Sequence, residues 1–136
     1  MQIIFTYPTH KHFEWLKTKD HHINKFTLQK KIDDKHIIIA ESKGEILGWL
    51  RFGLFWDTIP FMNMLFVEET HRNKGVGKKL VQFWESEMQK QKNKLVMTST
   101  QSDEKAQHFY RKLGYSDVGS LTLPKEPLEI IFMKKL

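Results

Sequence analysis

The 136-residue sequence contains no cysteine. Disulfides, thiolate metal sites and a cysteine nucleophile are therefore excluded. No apolar run approaches the ~20 residues of a membrane-spanning helix, and the first residues lack the apolar core of a secretion signal. The expectation is a cytoplasmic protein without a membrane partner. Only four prolines and seven glycines occur, none gathered into a linker or repeat. Residues 1–136 therefore read as a single domain. His10, His12, His21 and His22 do not form the helical i, i+4 pair of a zinc protease, so no metal is expected.

Apolar residues make up 40% of the chain and aromatic residues 12%, ample for a packed core. The formal net charge is +6. Most lysines are scattered (Lys11, Lys17, Lys19, Lys25, Lys30, Lys31, Lys35), and no helix-turn-helix or RNA-binding signature accompanies them. Nucleic acid is not the expected partner. One basic cluster stands apart: Arg72, Lys74, Lys78 and Lys79.

Hydrophobic periodicity gives an alternating order of elements. Strands are expected at residues 2–6, 36–41, 45–55, 61–67, 95–99, 115–121 and 128–134. Helices are expected after Pro8-Thr9, with Phe13 and Leu16 on one side, and at residues 22–31, with Phe26 and Ile32 facing inward. Two more are expected after Gly75 and over residues 104–113, and the last strand should close the sheet. Gly48 and Gly53 inside the third strand imply a bulge or a close backbone approach. Early hairpins followed by strand–helix alternation give a mixed α/β sheet with helices packed on it.

The most informative stretch runs from Leu65 to Gln91. A buried strand ends near Val67, a polar turn follows, and Gly75 and Gly77 open a helix whose apolar face carries Val76, Leu80, Phe83, Trp84 and Met88. Such a strand–turn–helix passage leaves backbone N–H groups unpaired at the positive end of a helix dipole, which suits a phosphate. A Walker loop is excluded because Arg72 stands where glycine is required, and a dinucleotide fingerprint because Leu80 replaces the third glycine. Arg72-x-x-Gly75-x-Gly77 remains. A second pattern lies downstream: Asp103, then Ala106, Tyr110, Gly114 and Tyr115.

With these two motifs, in this order, the chain resembles the GCN5-related N-acetyltransferase (GNAT) family. The resemblance implies a mostly antiparallel sheet of about seven strands flanked by about four helices. It implies acetyl coenzyme A as acetyl donor, its pyrophosphate held by the turn comprising Arg72, Asn73, Lys74, Gly75, Val76, Gly77, Lys78 and Lys79. It places the thioester carbonyl near the main chain of Leu65, Phe66 and Val67, with Phe66 the first residue to consider. Asp103 at the head of the second motif, where the family has asparagine, joins the cofactor-binding set and can still cap the helix that follows. Tyr110 corresponds to the tyrosine that protonates the departing thiolate in many members. Its alternative role is core packing, like Phe109 beside it. Asn73 stands where the family has glycine, and Glu69 where it commonly has proline.

The base stays open. Family members often carry a carboxylate on the fourth strand, but residues 61–67 contain none. Asn63 is the strand's one polar side chain there and could hold a relaying water. Asp57, Glu68, Glu69 and Glu129 are the other candidates, each also readable as a surface charge. Trp56 and residues 121–127 are candidates to line an acceptor pocket. The resulting expectation is an N-acetyltransferase acting directly on a primary amine, small-molecule or peptide, as a monomer or homodimer. The alternative is a non-catalytic acyl-coenzyme A-binding module of the same fold.

Overall fold

In the computed structural model, which describes residues 2–136, seven strands form one sheet, and their order departs from chain order at the C-terminal end. The strands are β1 (Ile4–Thr6), β2 (Ile37–Ser42), β3 (Glu45–Phe55), β4 (Ile59–Val67), β5 (Leu95–Gln101), β6 (Ser116–Leu121) and β7 (Glu129–Lys135). Their order is β1-β2-β3-β4-β5-β7-β6. The helices are α1 (Phe13–Lys19), α2 (Lys25–Asp33), α3 (Val76–Lys90) and α4 (Ala106–Lys112). The expected mixed α/β architecture is therefore present. The last strand, however, does not close the sheet. It lies between β5 and β6, and β6 is the outer strand. No helix among the described residues is long and apolar enough to cross a membrane.

The chain divides into two compact units. The first comprises the chain up to Phe52 and Met64–Trp84. Here β1 and β3 pair antiparallel with β2, and a two-residue turn with Lys43 at φ 51° and Gly44 at φ 77° joins β2 to β3. Two left-handed residues match the twist of the flanking strands, and glycine supplies one without strain. Alternation along the strands sorts side chains onto two faces. Ile37, Ile39 and Trp49 pack with Leu16 of α1 and Leu28 and Ile32 of α2. On the other face Phe52 meets Trp84 of α3, ring centroids 5.8 Å apart. Burying each such aliphatic side chain stabilises by about 1.5–3 kcal/mol.

Helix α2 starts at Lys25, later than its sequence pattern suggested, because Asn24 caps it: its side chain accepts from Thr27 N–H at 2.9 Å. Leu28 and Ile32, one turn apart, form its buried stripe. Phe26, expected inside, is 78% exposed. It lies two residues before Leu28, about 200° around the helix, and carries Lys25 Nζ over its ring at 5.3 Å.

The second unit comprises Gly53–Asn63 and Glu85–Leu136. Strand β4 pairs parallel with β5 at Phe61↔Met97 and Met62↔Thr98, and β5 pairs antiparallel with β7 along its whole length. Helix α4 ends in a Schellman cap: Gly114 N–H donates to Arg111 O and Tyr115 N–H to Tyr110 O, both at 3.1 Å, with Gly114 at φ 96°. The rings of Tyr110 and Tyr115 make the apolar contact that accompanies this cap. At the other end, Asp103 does not cap α4. The helix begins two residues later than expected, with Lys105 at the cap position, and Gln107 Nε2 closes the turn by donating to the carbonyls of Ser102 and Glu104. Glu85 is a buried carboxylate satisfied by two donors, Tyr115 Oη at 2.8 Å and Lys134 Nζ at 3.0 Å.

One buried ion pair in the first unit has a stability consequence. Arg51 Nε donates to Asp20 Oδ2 at 2.7 Å, with both side chains almost wholly removed from solvent. Burial would raise the Asp20 pKa, but the guanidinium and the His22 N–H outweigh it and hold the carboxyl below its usual range. This contribution is present above the ordinary carboxylate pKa and lost as pH falls through the depressed value. Asp20→Ala leaves the guanidinium buried and unpaired and is expected to cost about 3–5 kcal/mol by urea unfolding. Replacing both partners together, Asp20→Leu with Arg51→Met, is expected to restore most of that loss.

Candidate active site

Strand β4 reaches the motif with its end fixed from two sides. Glu68 N–H donates to Leu47 O at 2.8 Å. Gly48 on β3 lies so close that a Cβ there would stand 2.5 Å from Phe66 O and 3.1 Å from Val67 Cα. Glycine is required at this position for space, so the close approach read from the sequence is real. After a 3-10 turn at Glu69–His71, the chain passes through two left-handed residues, Asn73 at φ 62° and Gly75 at φ 83°. A Cβ on Gly75 would meet nothing within 4 Å, so its backbone conformation, not space, favours glycine there.

Helix α3 then starts at Val76, which is buried and pins its first turn. Lys79 N–H reaches back to Gly75 O at 3.1 Å, the bond that begins the helical ladder. The amides of Val76, Gly77 and Lys78 precede it and have no carbonyl one turn back to bond. They stand at the positive end of the helix dipole. Lys74, Lys78 and Lys79 are exposed around the same turn. Arg72 is more constrained. Its Nε donates to Val67 O at 2.7 Å and its guanidinium lies over the Phe66 ring at 5.2 Å, so it braces the end of β4 while keeping other donors available.

The first unit thus brings together Leu65, Phe66, Val67, Arg72, Asn73, Lys74, Gly75, Val76, Gly77, Lys78 and Lys79. Tyr110, Asn63 and Asp103 belong to the second. Asp103 is exposed in the turn before α4, and Asn63 is exposed on β4. Tyr110 is only 6% exposed and sits among Phe109, Tyr115 and Phe132. Burial pushes its phenol up to about 12, partly offset by a side-chain hydrogen bond with Thr98. Thr98 Oγ1 itself donates to Met62 O at 3.0 Å. Tyr110 is therefore fully protonated near neutral pH and does not serve as a base there.

The four candidate bases fare differently. Asp57 is an exposed turn residue at φ 60°, and Glu69 is exposed in the 3-10 turn. Glu68 faces Lys19 Nζ at 3.5 Å. Glu129 accepts from Ser99 Oγ at 2.7 Å. Ser99 was not singled out from the sequence. Its signal was weak: the period-two alternation of β5 puts it on the same face as Met97, but its partner lies 30 residues away. Two clefts flank these elements. One of about 720 Å³ in the first unit has charged walls that pair with one another, His12 Nε2 with Glu41 Oε1 at 3.1 Å and Lys19 with Glu68. The other, about 540 Å³ in the second unit, is lined mainly by apolar side chains with Asn63 and Ser99.

The family model described as "Acetyltransferase (GNAT) domain" matches residues 33–117, more than half of the chain and both motifs. The chain belongs to the GNAT acetyltransferase family. No curated protein matches the sequence. Among solved structures, the fold is shared with the NatC complex bound to Gag peptide and CoA, at 17% identity and TM-score 0.83, covering 100% of this chain and 99% of that one. It is shared with the PaiA N-acetyltransferase of Thermoplasma acidophilum in complex with coenzyme A, at 15% identity and TM-score 0.81, covering 100% of both chains. A GNAT-family acetyltransferase from Bacillus cereus aligns at 19% identity and TM-score 0.79, covering 99% of this chain and 98% of that one.

The glycine at β3 offers a direct check of the geometry around Phe66. Gly48→Ala places a methyl group against main-chain atoms that cannot move aside as a side-chain end could. It is expected to lower stability by about 1–3 kcal/mol, measured by denaturant unfolding. Amide shifts in Leu65, Phe66 and Val67 should change more than those in β1.

Proposed function

We propose that this chain moves an acetyl group from acetyl coenzyme A directly to a primary amine. The observation that carries this reading is the set of amides at the start of α3 without an intrahelical acceptor, framed by Gly75 and exposed lysines, within a chain of the GNAT family. The main chain from Lys74 to Lys78 would hold the pyrophosphate, aided by Arg72, Lys74, Lys78 and Lys79. The residues present fit a polyanion: small at Gly75 and Gly77, cationic around them, and pinned by Val76. The main chain of Leu65, Phe66 and Val67 would face the thioester carbonyl, and Asp103 would flank the cofactor from the second motif.

In the reaction, the neutral amine nitrogen bonds to the acetyl carbon, the carbon–sulfur bond breaks, and the nitrogen loses a proton. The thiolate takes a proton from Tyr110, which carries its proton near neutral pH. Asn63 is the residue assigned to hold a relaying water. Residues 1–136 act as one acetyltransferase domain in this reading, in keeping with the full-length alignment to the T. acidophilum enzyme. A second reading, a non-catalytic acyl-coenzyme A-binding module, draws on the absence of any carboxylate along β4 and the burial of Tyr110.

One variant tests the cradle that both readings share, and a second tests the chemistry that only the transferase performs. Gly77→Asp puts a side chain and a negative charge at the helix start and is expected to abolish coenzyme A binding in a folded protein, measured by calorimetry. Near-normal affinity would remove the cradle. Tyr110→Phe keeps the ring packing and removes the proton donor. Turnover, followed by thiol release with an amine panel, is expected to fall by ~10²-fold, with coenzyme A affinity little changed. A drop in melting temperature with turnover reduced only in proportion would make the hydroxyl a structural group.

A further inference from the structure

The apolar cleft of the second unit lies on one face of the β4–β5–β7–β6 sheet. Registers Phe61↔Met97, Ser99↔Ile131 and Leu121↔Glu129 put Phe61, Ser99, Ile131 and Leu121 on that face, with Glu129 beside them. Leu54 and Leu121 are 46% and 52% exposed there, although neither is needed to close the core. Ser99 Oγ donates to Glu129 Oε2 at 2.7 Å, whereas Oε1 has no hydrogen-bond or ion-pair partner among the described residues. One carboxylate oxygen is thus held in place and the other left to receive a donor.

The rim is unusual too. Trp56 is 78% exposed and sits at φ 54° in the tight turn between β3 and β4, with Asp57 at φ 60°. Such turns favour glycine or asparagine, so a tryptophan there is strained, and strain of this kind concentrates at ligand sites. Its ring lies against Phe55 at 4.6 Å, and Phe55 stacks on Phe61 at 6.3 Å, giving a continuous aromatic wall.

We infer that this cleft selects the acceptor, and that the acceptor is a primary amine carried on a bulky apolar group, its ammonium received by Glu129. The inference rests on the acetyltransferase reading for the word acceptor. The cleft and its charge stand without it. A polycationic amine fits poorly, because further ammonium groups would lie against Leu54, Phe55, Phe61 and Leu121 without partners. A short alkylamine leaves the aromatic wall uncovered.

The test uses the full chain with labelled leucine and isoleucine methyl groups, titrated with phenethylamine, ethylamine, spermidine and a phenylalanine-headed dipeptide amide. Phenethylamine or the dipeptide is expected to shift the methyl signals of Leu54, Leu121 and Ile131 and to bind about 10–100-fold more tightly than ethylamine. Whichever of the two binds tighter identifies the source as a free amine or a peptide N-terminus. Glu129→Gln, which preserves shape, should weaken that binding at least tenfold while leaving acetyl coenzyme A affinity unchanged, and Leu121→Asp at an exposed position should weaken it by a similar factor. Unmoved methyl signals, or wild-type amine affinity in Glu129→Gln, would overturn the inference. Thiol release distinguishes it from the activity itself. Apolar amines that bind in the cleft without thiol release reject the transferase and keep the pocket, whereas faster release with spermidine or ethylamine keeps the transferase and rejects the pocket's selectivity.

Discussion

The passage from β4 into α3 turns the chain through two left-handed residues and ends in a helix whose first amides have no intrahelical acceptor. Asn73 and Gly75 supply the backbone conformations, and Val76, buried immediately afterwards, fixes the helix against the core. Behind the turn, Gly48 lets β3 approach Phe66 and Val67 at a distance no other residue allows, and Arg72 ties back to Val67 O. An anion at this helix start would be met by groups already positioned, so little ordering cost remains at binding. The buried stripe of α3, with Leu80 and Trp84 continuing from Val76, holds that geometry in register.

Charge is divided between two tasks. Buried charges are paired: Asp20 with Arg51, and Glu85 with Tyr115 and Lys134. Breaking one leaves its partner desolvated, so these pairs specify packing more than they add net stability. The exposed lysines at positions 74, 78 and 79 gain little from the fold and are the ones available to phosphate. Pairing and exposure thus separate structural cations from ligand-facing ones in a chain whose net charge alone would suggest a general affinity for polyanions.

What the sequence made legible was local. Gly75, Gly77 and the α3 stripe follow from spacing, and Gly114-Tyr115 belongs to a helix cap whose hydrogen bonds span only a few residues. Both motifs carry their own geometry. Illegible were matters decided between distant segments. The placement of β7 between β5 and β6 depends on pairing energies along two strands, and the Ser99–Glu129 bond on a register set 30 residues apart. Phe26 is exposed because it lies six residues, about 120° around the helix, from Ile32, so the two cannot share one buried face. Asp103 was read as a cap when Gln107 performs that closure from inside the helix.

The central claim, that the turn at the start of α3 is the pyrophosphate site, is tested most directly by backbone amide shifts on addition of coenzyme A to the labelled protein. The account predicts the largest changes at Lys74, Gly75, Val76, Gly77 and Lys78, much reduced when pantetheine, which lacks the pyrophosphate, replaces coenzyme A at equal occupancy. Saturable binding that leaves those amides unmoved and instead perturbs the cleft around His12, Trp15 and Glu41 would contradict it.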